Sequence, residues 1–314
     1  MTTLVCPGFG YSTQHYVALY GKRFDRIVGT TRSEKNAIAL HSRRFGGNAV
    51  EMLVFDGISA SPALAAAIAD ATVLLVSIAP DQDADPVLAH LHDAIAAAPR
   101  LGSIVYLSTI AVYGDHDGRW IDETTPLTPA LTRASNRIAA ESAWQALGEA
   151  HGIPVAVIRI AGIYGPGANA LETVKAGRAR CIIKPGQVFN RIHVGDLAQI
   201  IDKAVGMALR RRAGGIFNAA DDEPTPPGDP IVFAASLLGV APPAEVAFEE
   251  AEKTMTPFAL SFYGESKRVR NDRIKSVLGV ALRYPTYRQG LRALATETGT
   301  AGQNRDVTDS SPIT

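Results

Sequence analysis

Leu4-Val5-Cys6-Pro7-Gly8-Phe9-Gly10-Tyr11-Ser12-Thr13 opens the chain and decides how it is read. An apolar run stops at a proline, two glycines follow one residue apart, and a helical stretch then begins. Glycines at such a turn let the backbone fold sharply and approach a pyrophosphate closely. The first turn of the helix adds unpaired N–H donors and a partial positive charge. Gly8, Gly10, Tyr11, Ser12 and Thr13 are therefore the first candidate dinucleotide contacts. Thr13 stands where a third small residue is usual, and its hydroxyl is expected within reach of a phosphate.

Working outward, short apolar runs alternate with Ala-rich helical ones. Strands are expected at Thr3–Cys6, Arg26–Thr30, Val50–Phe55, Thr72–Ile78, Ser103–Ser108 and Val155–Ile160. Helices between them start near Ser12, Ser33, Ser61, Pro86 and Pro129. Strands apolar along their whole length, separated by helices, predict a parallel sheet covered on both faces. Right-handed crossovers then make it a doubly wound α/β fold of the Rossmann type over residues 1–165. After Gly162 the alternation gives way to Pro and Gly clusters at Gly165–Gly167, Pro185–Gly186 and Pro224–Pro230. Residues 166–190 and 220–299 are read as a smaller substrate lobe, with 191–219 returning to the main domain. The polar, aperiodic stretch 300–314 is read as a disordered tail.

The second strand ends Ile27-Val28-Gly29-Thr30-Thr31-Arg32-Ser33. A site for NAD usually places Asp or Glu about twenty residues past the glycines. Here Thr31 and Arg32 stand instead, and a guanidinium suits the 2′-phosphate of NADP(H). Asp56, closing the third strand, is either an adenine contact or an ordinary turn residue before Gly57.

Composition narrows the partners. Lys plus Arg equals Asp plus Glu at 31 each, so no net field draws nucleic acid or anionic lipid. Cys6 and Cys181 are too few for a disulfide framework or a zinc site. His90 and His92 point to different helix faces, so no metal is expected. The first basic residue is Lys22 and the apolar stretch 63–80 is broken by Asp70. Neither a secretory signal nor a membrane span is expected, and the location read from this is cytoplasmic. A small-molecule substrate is the expected partner, and a homodimer is left open.

Tyr106-Leu107-Ser108-Thr109-Ile110-Ala111-Val112-Tyr113-Gly114 resembles the Ser-Ser-x-x-Val-Tyr-Gly segment of extended short-chain dehydrogenases/reductases, the NAD-dependent epimerase/dehydratase proteins. Arg159–Pro166, Arg191–Asp196 and Phe217–Asp222 fit the same family pattern in order. The opening loop, with its Tyr11-Ser12 pair, is closer to an atypical NADP-binding subgroup. The resemblance implies an oxidoreductase or epimerase in which a Ser/Thr, a Tyr and a Lys act together beside the nicotinamide. The Ser/Thr maps onto Thr109. Where Tyr-x-x-x-Lys is expected, the chain reads Arg133-Ala134-Ser135-Asn136-Arg137. Arginine stays protonated and cannot cycle as acid and base. Arg133 is expected to donate to a substrate oxygen and Arg137 to hold ribose hydroxyls. The alternative is a charged ladder of Arg133, Arg137 and Glu141 on one helix face.

Tyr113, Tyr164 and His193 are the candidate proton carriers, each with a structural alternative; Tyr164 also falls at a cofactor-contact position. Nucleotide-sugar members often carry an Arg where this chain has Phe189. Arg191, two residues on, would face the same side and contact substrate, with His193 beside it. The basic run Lys267-Arg268-Val269-Arg270 with Arg273 reads more readily as solvated surface than as lobe lining. Two functions compete: an NADP(H)-dependent oxidoreductase with an altered catalytic set, acting on a small carbonyl/alcohol or sugar-like substrate, and a non-catalytic NADP(H)-binding sensor or scaffold. The substrate-side motifs tip the balance toward the enzyme.

Overall fold

Capping chemistry sets where the helices of the first half begin. The computed structural model describes residues 1–59, 61–82 and 84–303. Its first half runs β1 (Thr3–Cys6), α1 (Tyr11–Tyr20), β2 (Arg26–Thr31), α2 (Glu34–His41), β3 (Glu51–Val54), α3 (Pro62–Ala69), β4 (Val73–Val76), α4 (Pro86–Ala96) and β5 (Ser103–Thr109). Ser33, Ser61 and Asp85 each accept a backbone N–H at the helix they cap, and proline follows at the first position of α3 and α4. Then come β6 (Trp120–Ile121), α5 (Thr132–His151) and β7 (Val155–Ile160), with Gly152 closing α5 in the left-handed conformation.

All neighbouring strands of the seven-stranded sheet pair in parallel, in the order β11-β7-β5-β4-β1-β2-β3, where β11 is Gly215–Ala219. One face is covered by Tyr16 and Val17 of α1 and by Leu197, Ile200 and Ile201 of α7 (Val194–Arg211). The other is covered by Leu64 and Ile68 of α3, Leu91 and Ile95 of α4, and Trp144 of α5. The expected doubly wound sheet is present, and β1 and β7 have the limits read from the sequence.

The rest of the chain supplies β8 (Gly162–Tyr164), α6 (Ala170–Lys175), β9 (Cys181–Ile183), β10 (Arg191–His193), α8 (Asp229–Leu238), β12 (Glu245–Ala247), α9 (Phe248–Ala251), α10 (Pro257–Ser261), β13 (Arg268–Val269), α11 (Asp272–Ser276) and α12 (Tyr287–Gln303). Its strands form parallel two-stranded pairs: β10 with β8, β12 with β9 and β13 with β6. Residues 191–219 are therefore split. β11 and α7 join the main sheet, whereas β10 pairs with β8 outside it. α12 continues through Gln303, into the stretch expected to be tail, and residues 304–314 lie outside those described.

α5, β5 and β7 are joined by a buried ion pair. Glu141 and Arg159 are each 3% exposed at the side chain and meet at 2.7 Å. Arg159 Nε also donates to both Glu141 oxygens, and Ser108 Oγ donates to Oε1. Arg159 Nη1 donates to the Tyr113 hydroxyl at 2.9 Å, which donates on to Asn218 Oδ1 of β11 at 2.8 Å. Burial works to lower the Arg159 pKa, but the bonds and charge of Glu141 outweigh it and hold it above its ordinary value. Removing one partner of such a pair strands a buried charge. Glu141→Gln is expected to cost about 3–5 kcal/mol in a urea titration with an unchanged m-value; a loss under about 1 kcal/mol would place the pair's contribution at surface level.

Candidate functional site

The turn after β1 lies at the reversal point of the sheet, between β4 and β2, where open α/β sheets take their ligands. Gly8 has φ of 90° and donates its N–H to Thr30 Oγ1 at 2.9 Å; a Cβ there would meet Ser77 Oγ at 2.5 Å. Gly10 is the N-cap of α1, with no side-chain cap. A Cβ at Gly10 would meet no protein atom within 4 Å, so the space in front of the helix is left open by the missing side chain. Gly8, Gly10, Thr31, Arg32 and Asp56 line one cleft of about 560 Å³, walled also by Phe55, Ile58, Ile78 and Pro86. Arg32 is exposed on its rim. The geometry fits a dinucleotide: an open helix N-terminus at one end, an apolar slot, and a cation after β2.

Other candidates of this group serve the loop itself. Thr13 is fully buried; its hydroxyl donates to Gly8 O at 3.1 Å and approaches Ser77 Oγ at 3.3 Å, so it braces the turn instead of facing a phosphate. Ser12 is half-buried in the first turn of α1. The Tyr11 hydroxyl donates to Pro166 O at 3.0 Å, tying α1 to the loop after β8. Asp56 Oδ1 accepts from Ile58 N at 2.8 Å, and these backbone bonds hold its pKa below the ordinary value. Asp56 thus belongs both to the turn and to the cleft wall.

A second cleft, of about 350 Å³, is lined by Thr109, Arg133, Tyr164 and Arg191, with Glu265 and Lys267. Thr109 ends β5, and its Oγ1 accepts Ala111 N–H at 3.2 Å. Arg133 sits at the exposed start of α5. It donates to Ser261 Oγ at 2.6 Å and lies over the rings of Phe258 and Phe262, at 5.1 and 5.6 Å from their centroids. Tyr164 is 8% exposed, and its hydroxyl has no hydrogen-bond partner. Burial, then the charges of Asp221 and Asp196, push its pKa upward. α12 passes so close that any Cβ at Gly290 would overlap that hydroxyl.

Tyr113, Arg137 and His193 stand outside this lining. Tyr113 is fully buried and its hydroxyl is held by Arg159 and Asn218, so the motif tyrosine is structural in this geometry. Arg137 donates to the Tyr106 hydroxyl at 3.1 Å and to Leu107 O at 3.0 Å. With Glu141 buried on Arg159, the three residues do not form a surface ladder; each has its own partners. His193 is 6% exposed and caps α7: its Nδ1 accepts Gly195 N–H at 3.0 Å. Glu265 and Lys267 were not legible as lining. Lys267 is 4% exposed, and its Nζ donates to Gly114 O and Glu265 Oε2, both at 2.6 Å. In sequence Lys267 opens a basic run that reads as surface, and Glu265 gave no signal; Lys267 immediately precedes β13, which pairs with β6.

The fold and the first cleft define a doubly wound α/β protein with a dinucleotide-type site. Residues 84–220 match the model of the NAD dependent epimerase/dehydratase family. That stretch, 137 of the 314 residues, carries the likeness to the family. It is 45% identical to a functionally unknown conserved protein from Silicibacter pomeroyi, with 95% of this chain and 99% of that one covered and a TM-score of 0.82. A human epimerase family protein solved with NADPH superposes at a TM-score of 0.69, with 17% identity over 94% of this chain and 99% of its own, a likeness of fold alone. Human dTDP-D-glucose 4,6-dehydratase is 34% identical over 137 residues, which is 41% of this chain; the match spans 38% of the dehydratase. Among the described residues no helix is long and apolar enough to cross a membrane.

His193 gives the fold a pH signature. Burial first, then the charges of His15 and Arg283, take its pKa from 6.5 to about 4. A pKa lowered on folding means that stability is complete above about 6.5 and falls as the pH drops toward 4. His193→Asn keeps a cap for α7 but cannot titrate. Relative to the wild type, it is expected to remove about 3 kcal/mol of that acid loss. Parallel urea titrations at both ends of the window check this, and identical slopes would show that the imidazole does not titrate there.

Proposed function

We propose that this chain is an NADP(H)-dependent oxidoreductase acting on a small carbonyl or alcohol. The observation that carries the cofactor half is the open space in front of Gly10, on the same cleft as Arg32. The N–H groups of the first turn of α1 would hold the pyrophosphate, and Arg32 the 2′-phosphate. When bound, the cofactor supplies or accepts hydride. Thr109 uses a lone pair on Ala111 N–H and keeps its own proton to donate to the substrate oxygen. Arg133 is a fixed cation beside it, able to stabilise developing negative charge but not to carry the proton. Arg137 holds β5 through Nη1 and keeps its other nitrogens for a ribose hydroxyl. Of the three proton carriers considered, Tyr164 is the one whose residue lines the cleft, and its unpartnered hydroxyl is buried against Gly290 of α12.

One observation favours a second reading, a non-catalytic NADP(H) sensor: Arg133 and Arg137 occupy the expected Tyr and Lys positions, and Arg133 is engaged with α10. A screen of carbonyls with NADPH and of alcohols with NADP separates the two, since turnover by any of them ends the sensor reading.

Calorimetric titration tests the cofactor. NADPH is expected to bind more tightly than NADH, and Arg32→Ala to cost about 1.5–3 kcal/mol for NADPH alone. Equal affinities in the wild type would reject the assignment. Gly10→Val is expected to abolish binding of both cofactors with an unchanged circular dichroism spectrum, because its side chain enters ligand space and no protein atom is displaced at Cβ. A folded variant with normal affinity would show that the turn is only structural.

A further inference from the structure

The smaller cleft has a charge pattern that the hydride-transfer reading leaves unexplained. Three cationic side chains line it, and Glu265 is the one carboxylate in the lining. Lys267 already holds Glu265 at 2.6 Å. Arg191 donates Nη1 to two neutral acceptors, Phe189 O at 3.2 Å and Thr225 Oγ1 at 2.8 Å. Arg133 rests on two aromatic rings and a serine. Among the described residues neither guanidinium has a carboxylate within ion-pair distance. Asp221 and Asp229 act on Arg191 only by charge from beyond ion-pair distance, and burial pushes the pKa of Asp221 upward against the pull of Arg191. A guanidinium taken partly out of water without a counter-charge is costly unless a ligand brings one.

The rest of the lining is apolar, including Ile110, Ile160, Ile163, Val188 and Phe189. A volume of about 350 Å³ is at the small end of ligand sites and matches one ring or a short chain better than a ring together with a nucleoside diphosphate. We infer that the substrate is a compact carbonyl or alcohol with an apolar body and one carboxylate, bound by Arg191 within the cleft and Arg133 at its mouth, and that nucleotide sugars are excluded. This rests on reading the cleft as the substrate side of the cofactor. It narrows that reading, since a neutral sugar or a plain ketone would leave both cations unanswered.

The test uses 4-acetylbenzoate as the acid probe, acetophenone as its uncharged counterpart and UDP-glucose as the nucleotide sugar. Each is titrated calorimetrically into the full chain with and without NADP, where no reduction takes place. The acid is expected to bind about ten-fold or more tightly than acetophenone, the value of one charge-assisted hydrogen bond. Arg133→Gln, an exposed change that leaves the core intact, and Arg191→Gln are each expected to shrink that preference. UDP-glucose is expected not to displace the acid. Equal binding of the acid and acetophenone, a preference that survives both substitutions, displacement by UDP-glucose, or no binding of the acid up to its solubility limit would each overturn the inference. The NADP titration on the same sample reports the cofactor reading separately, so the two failures cannot be confused.

Discussion

The ion pair between Glu141 and Arg159 is the constraint on which the second cleft and its surroundings depend. It lies where α5 crosses β5 and β7, and it is almost completely shielded from water. A desolvated pair of this kind contributes less to net stability than to geometry, because each charge must keep its partners in one arrangement. Ser108, Tyr113 and Asn218 complete that arrangement. Through them the end of β5, the turn that follows it, β7 and β11 are fixed to one another. Thr109, Arg133 and Arg137 are carried on elements that this network holds in register.

The network also accounts for how the family tyrosine is used. A hydroxyl that accepts from Arg159 and donates to Asn218 has both functions occupied, in a site without solvent. It cannot exchange a proton with a ligand without breaking two buried bonds. In the smaller cleft the groups with spare hydrogen-bonding capacity are the Thr109 proton and the guanidinium donors. Its pattern is one of donors and cations, suited to receiving negative charge.

Sequence reading was strongest where a local rule fixes the outcome. β1 and β7 are mostly apolar and buried on both faces, so their limits could be read directly. α2, α3 and α4 begin at a capping Ser or Asp. α5 begins at Thr132, a few residues after Pro129, and its N-cap Leu131 offers no side-chain oxygen as a signal. The second half of the chain was legible only as irregular. Its strand pairs are two or three residues long and join segments far apart in sequence, so no periodicity announces them. The same distance hid the partners of polar residues. Glu141 looks like one rung of a helical charge ladder until Arg159, on another element, claims it. Thr13 looks like a phosphate ligand until Gly8 and Ser77 take its hydroxyl. Lys267 looks solvated until Gly114 and Glu265 enclose it.

Gly290 lies near the start of α12 and packs against the ring and hydroxyl of Tyr164, in the wall of the cleft. Every other amino acid carries a Cβ, and that atom would take the space the hydroxyl now fills. The two positions are consequently coupled by sterics. A lineage cannot enlarge residue 290 and keep this tyrosine where it stands, so divergence in what the cleft accepts can begin on a helix that never meets the ligand.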